Sequence, residues 1–175
     1  MQHLIVMRHA KAASEADYAN DRERPLTARG LEDARLASLR LAEIAQEMGA
    51  PPAPLRVLIS PAIRTRETWG AIAPVLPGAS FSFEERLYMA PAEAIWEIAM
   101  ASGAPACLII AHNPGLHHLV QILLTQAHDH SGAARTLLQN FPTSTFAAFS
   151  LTGELLEAAG PRLIASNANG STTRS

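Results

Sequence analysis

At 175 residues and 48% hydrophobic content, the chain is long enough for one domain with a full core and too apolar for a disordered polymer. Its 14 basic and 16 acidic residues leave a formal charge of -2, which excludes a general nucleic-acid binder but leaves room for a local basic pocket around a small anion. The single cysteine, Cys107, excludes an internal disulfide and a cysteine-based zinc site. It lies inside an apolar run and reads as a buried small hydrophobe.

Near the N-terminus, Leu4–Met7 is a short continuous apolar run, the mark of a buried strand. It is too short for a signal peptide or a membrane span, so the expectation is a cytoplasmic protein with no membrane partner. A polar loop follows over about 11–24. Thr27 is an N-cap for a helix whose apolar face runs through Leu31, Ala34, Ala37, Leu41, Ile44 and Met48. Gly49, Pro51 and Pro52 end it. Arg56–Ile59 reads as a second strand. Ser60-Pro61 reads as a cap followed by proline at the first helical position, with a helix to Ile72 or Ala73.

A short strand is predicted at Ser80–Phe83 and a helix over Ala92–Ala101. Ala106–Ala111 is another buried strand, and Asn113-Pro114 repeats the cap-then-proline signal before a helix to about Gln126. Thr145–Leu151 reads as a strand and Arg162–Ala165 as a last one. The small polar tail over 166–175 is expected to be mobile. Strands alternating with helices, with no repeat and no linker, predict a single α/β domain over 1–165 built on a largely parallel sheet.

The chemistry sits where the strands end. Arg8 and His9 close the first strand, Arg64 lies in the first turn after the second, and His112 follows the Ala106–Ala111 strand. In open α/β sheets the carboxyl ends of the strands line the binding crevice, where helix N-termini also favour an anion. Positive charge gathered there costs stability unless an anion is bound. Guanidinium forks match phosphoryl oxygens, one neutral imidazole can attack phosphorus, and the other can donate to an equatorial oxygen.

These residues lie in segments that resemble the histidine phosphatase superfamily, also called phosphoglycerate mutase-like, and within it the SixA phosphohistidine phosphatase subgroup. The segments are 4–10 (LIVMRHA), 24–30 (RPLTARG), 60–65 (SPAIRT) with Thr68, Leu87-Tyr88, and Ala111-His112-Asn113-Pro114. The resemblance implies a three-layer α/β/α sandwich around a mixed sheet. It implies that His9 is the phosphorylated nucleophile and that Arg8, Arg64 and His112 hold the phosphoryl oxygens. Arg24 is carried over as a pocket-lining residue. The superfamily has glycine after the nucleophile; Ala10 stands there in this chain.

Superfamily members that cleave phosphate esters carry an acid in a central loop, and Glu85-Arg86-Leu87-Tyr88 resembles that setting. Glu85 is therefore a candidate proton donor, with a solvated loop charge as the equal alternative. No cofactor and no metal are expected, because the arginines supply the charge a metal would bring. His128-Asp129-His130 reads as an exposed loop, and His117-His118 as helix surface. The expected substrate is phosphohistidine in a protein. The alternatives are a small phosphorylated molecule on the same scaffold and a catalytically dead phosphoprotein-binding module. Oligomeric state is not readable.

Overall fold

A computed structural model of the chain describes residues 3–47, 55–151 and 155–159. Six strands form one sheet in the order β3-β2-β4-β1-β5-β6. They are β1 (His3–Arg8), β2 (Leu55–Ile59), β3 (Ser80–Phe83), β4 (Ala106–Ala111), β5 (Phe146–Ser150) and β6 (Leu155–Ala159). β1, β2, β3 and β4 pair in parallel, whereas β5 runs antiparallel to β1 and to β6. The sheet is thus mostly parallel with an antiparallel edge.

Alternation of side chains along β1 splits the core in two. Ile5 and Met7 face α1 (Ala28–Glu47) and α2 (Ile63–Ile72), burying Ala34, Ala37, Leu41, Ile44, Trp69 and Ile72. Leu4 and Val6 face α3 (Ala92–Ala101), α4 (Gly115–Gln126) and α5 (Gly132–Gln139) on the other side. β4 is buried along all six residues, as a strand covered on both faces must be. Helices on both faces make the three-layer α/β/α sandwich that the family resemblance implied.

Thr27 caps α1 as expected: its hydroxyl accepts from the Gly30 N–H at 3.0 Å. Ser60 does not cap α2. That helix begins at Ile63, with Ala62 at the cap position and no side-chain bond there, and the Ser60 hydroxyl is used inside the pocket. Asn113 likewise sends its amide to the Phe141 carbonyl, and α4 starts at Gly115 behind Pro114. α5 escaped the sequence reading because eight residues bury only Ala134 and Leu137, too few to show a period. β6 also went unread. The strand expected at Arg162–Ala165, the polar tail and the α1 terminator at Gly49 lie outside the described residues.

Gly115 is buried where α4 begins, with its backbone against the Ala90 carbonyl; a Cβ there would collide with that oxygen and sit 3.2 Å from Ile95 Cδ1. Gly115→Ala is expected to cost about 1–3 kcal/mol through overpacking of backbone on backbone. Denaturant titration measures it as a lowered midpoint with unchanged slope.

Candidate active site

The strand order places the carboxyl ends of β2, β4 and β1 side by side. Main-chain bonds carry the ladder one residue past each strand: Ser60 N–H reaches the Ile110 carbonyl at 3.0 Å, and His9 N–H reaches that of Ala111 at 3.2 Å. Three successive strand ends therefore deliver Ser60, His112 and His9 into one crevice, and α2 adds Arg64 from its first turn.

His9 is 9% exposed and its Nδ1 lies 2.8 Å from the Ala10 carbonyl. A carbonyl only accepts, so Nδ1 carries the proton and Nε2 keeps the lone pair. Burial is the main cause that pushes the His9 pKa down to about 3; the bond to Ala10 opposes it, and Arg64, Arg8 and Arg24 add to the lowering. The ring is therefore neutral across the ordinary pH range. Ala10 is locked in turn, because its N–H donates to the Thr68 hydroxyl at 3.0 Å.

The His112 ring lies 5.2 Å from the His9 ring and is 2% exposed. Its Nδ1 is 3.3 Å from an Arg64 terminal nitrogen and its Nε2 is 2.6 Å from the Ser60 hydroxyl. Guanidinium only donates, so Nδ1 accepts and Nε2–H donates to Ser60. Burial first, and then His9 and Arg64, hold the His112 pKa far below the usual histidine range.

The sequence reading missed Asp21, the residue that organises the arginines. Its carboxylate accepts from Arg64 at 2.7 Å, from Arg24 at 2.6 Å and from the Tyr88 hydroxyl at 2.7 Å. The other terminal nitrogen of Arg64 donates to the Asp21 main-chain carbonyl at 2.6 Å. Burial would raise the Asp21 pKa, but the bonds from Tyr88, Arg24 and Arg64 outweigh it and hold the carboxyl well below its usual range. These bonds favour the ionised form of Asp21, in which its carboxylate accepts from all three donors. Tyr88 meets the His112 ring edge-on at 5.4 Å, with its own pKa raised by burial and by Asp21. No run or motif in the polar loop marked Asp21; its three-residue spacing to Arg24 was the available signal.

Arg8 reaches the crevice from the other flank. It donates to the Phe141 carbonyl at 2.9 Å, an oxygen that also accepts from Asn113 at 2.9 Å, while its buried Nε has no partner among the described residues. Glu85 is exposed and paired with Arg22 at 2.9 Å, and Arg22 lies over the Tyr88 ring at 4.1 Å. The structure therefore links His112, Arg64 and Arg24 through Asp21 in one bonded cluster, sets the His9 ring against His112 and Arg8 beside it, and leaves Glu85 exposed and paired with Arg22. His117 is half-buried and donates to the Leu137 carbonyl at 2.8 Å, tying α4 to α5. Among the described residues no three His, Cys, Asp or Glu side chains gather as a metal site.

Solved structures share this architecture. A protein from Nakamurella multipartitia, designated a candidate phosphohistidine phosphatase SixA, is 29% identical with a TM-score of 0.74, covering 91% of this chain and 96% of its own. A SixA candidate from Agrobacterium tumefaciens is 23% identical with a TM-score of 0.77, covering 91% and 98%. The protein histidine phosphatase SixA complexed with tungstate is 23% identical with a TM-score of 0.69, covering 93% and 99%.

The chain has the SixA-type, phosphoglycerate mutase-like fold.

It is similar, over nearly its whole length, to hydrolases of the phosphohistidine phosphatase type. No protein-family model and no curated relative matches the sequence. The SixA likeness and the sandwich expected from the five sequence segments agree with these neighbours, and no helix among the described residues is long and apolar enough to cross a membrane.

Proposed function

We propose that the protein is a cytoplasmic phosphatase that works through a covalent phosphohistidine on His9 and acts on phosphohistidine in a protein. The observation that carries this reading is the Nδ1–H bond from His9 to the Ala10 carbonyl, which leaves a neutral Nε2 lone pair among cationic side chains. A pure phosphate-binding module gains nothing from a neutral nucleophile held in that tautomer.

In the first step Nε2 attacks phosphorus, an N–P bond forms, and the bond to the leaving group breaks. Arg8 and Arg64 neutralise the phosphoryl oxygens, and Arg24 supports them through Asp21. Three guanidinium charges against one carboxylate leave a surplus that suits a phosphoryl dianion. The bound dianion also favours a protonated His112, which then has a second N–H to donate. In the second step water attacks phosphorus and the N–P electron pair returns to Nε2, restoring the neutral ring.

Leaving-group chemistry separates the substrates. An alkyl phosphate departs as a strong base and needs a proton, whereas imidazole departs with little help. Asp21 is engaged as an acceptor from three donors, and Glu85, the candidate acid, stands exposed and paired with Arg22. The reading expects kcat/KM for phosphohistidine to exceed that for alkyl phosphates by orders of magnitude. Glu85→Gln should slow the ester reaction and leave the phosphohistidine reaction nearly unchanged. Equal losses on both would remove Glu85 from an acid role, and a wild-type preference for sugar or glycerate phosphates would favour a metabolite phosphatase.

The pH dependence has a fixed sign. His9 must be unprotonated to attack, and its pKa is lowered to about 3. Activity on the acidic side should therefore persist well below the ordinary histidine titration and be lost only as pH falls toward that value. A kcat/KM profile collapsing between pH 7 and 6 would place the working pKa elsewhere.

A further inference from the structure

The positive charge of the site is compensated more fully on one flank than on the other. On the Arg64 flank, Arg64 and Arg24 both bond to Asp21. On the Arg8 flank a cavity of about 540 Å³ is lined by Arg8, Lys11, Arg29, Asp33, Asn140, Pro142 and Thr143. Its three cations face one carboxylate. Arg29 approaches Asp33 only to 3.7 Å with its side chain 82% exposed, and no bond to the Lys11 ammonium occurs among the described residues.

The walls of this cavity are tied by main-chain bonds to the segment that carries the nucleophile. The Lys11 carbonyl accepts from the Thr27 N–H at 2.8 Å and from its hydroxyl at 3.1 Å. Gly30 packs so closely on Lys11 that a Cβ there would collide with the same carbonyl. The main chain of Lys11 is thereby pinned to the first turn of α1, where Arg29 lies. On the opposite wall, Thr143 precedes Ser144, whose N–H donates to the His9 carbonyl at 3.2 Å. The Phe141 carbonyl beside it holds Arg8. The cavity therefore begins one residue from His9 along both β1 and the segment entering β5.

Holding Lys11, Arg29 and Arg8 around one space is unfavourable unless an anion enters it. In the proposed mechanism the phosphoryl group takes the place beside His9, so an anion in this cavity belongs to another part of the same substrate. We infer that the Arg8–Lys11–Arg29 cavity is a second anion subsite that takes an acidic side chain flanking the phosphorylated residue of a protein substrate. This inference deepens the phosphatase reading and rests on it for turnover, but the subsite itself binds without chemistry.

Two peptides, each with one phosphohistidine and either glutamate or glutamine at flanking positions, serve as probes beside a small phosphoramidate. The wild-type protein should show a KM roughly fivefold lower for the glutamate peptide, the scale of two partly exposed ion pairs, with equal kcat. High salt should erase the difference. Lys11→Ala with Arg29→Gln should abolish it while phosphoramidate turnover stays at the wild-type level. Calorimetry of the unphosphorylated peptides reads the same preference without turnover, so a protein that hydrolyses nothing refutes the phosphatase reading and still tests the subsite. Equal KM and equal binding of the two peptides, or a preference that survives in the double variant, would overturn the inference.

Discussion

His9→Ala is expected to abolish hydrolysis while the protein remains folded. The ring contributes no core contact that its strand depends on: β1 is held by its ladder to β4 and β5, and by the apolar side chains of Leu4 to Met7. What the substitution removes is the neutral Nε2 that has no hydrogen-bond partner among the described residues and is free to attack phosphorus. The arginines remain, so tungstate or vanadate should still bind. Circular dichroism and thermal unfolding check the fold, and steady-state turnover checks the chemistry. A folded variant that keeps more than a small fraction of wild-type activity would end the nucleophile assignment.

Arg64→Ala should lower turnover by roughly 10²–10³-fold, the scale of losing one charge-stabilising donor. Two effects add. The phosphoryl group loses a guanidinium, and Asp21 loses the side chain that donates two hydrogen bonds to it. The Asp21 carboxylate then stands in the pocket with Arg24 and Tyr88 only, adding a repulsion toward the substrate's own charge. KM should therefore rise as kcat falls. Arg64→Lys should rescue little, because a single ammonium cannot span the Asp21 carbonyl, its carboxylate and His112 at once. Near-wild-type kcat/KM in either variant would show that Arg64 only braces the loop.

Much of this arrangement was legible in the chain. β1 and β4 are continuous apolar runs because both of their faces are covered, and α1 shows its period because five turns bury one stripe. The four charged or aromatic groups at strand ends could be placed in one crevice by topology alone. The limit came where long-range contacts override local preference. Ser60 has the sequence signature of a helix cap, yet its hydroxyl gains more from the buried His112 ring than from a helix N–H exposed nearby. Asp21 lies in a loop whose two short 3-10 turns bury no side chain, so no periodicity marks it. Its role depends on Arg64 and Tyr88, which are 43 and 67 residues away. The Arg22–Glu85 pair is another contact of this kind, and it moves Glu85 to the rim.

The most direct test of a phosphoryl-enzyme mechanism is to trap the intermediate and locate the phosphorus. Rapid quench of the protein with labelled phosphohistidine or phosphoramidate should place label on His9, stable in base and lost in acid as N–P bonds are. The tautomer fixed by Ala10 further requires that phosphorus be attached at Nε2 and not at Nδ1, which NMR of the trapped protein distinguishes. Label on Nε2 of His9, formed and discharged at rates matching turnover, is the expected result. Label on another residue, on Nδ1 of His9, or on no residue during rapid turnover would contradict it.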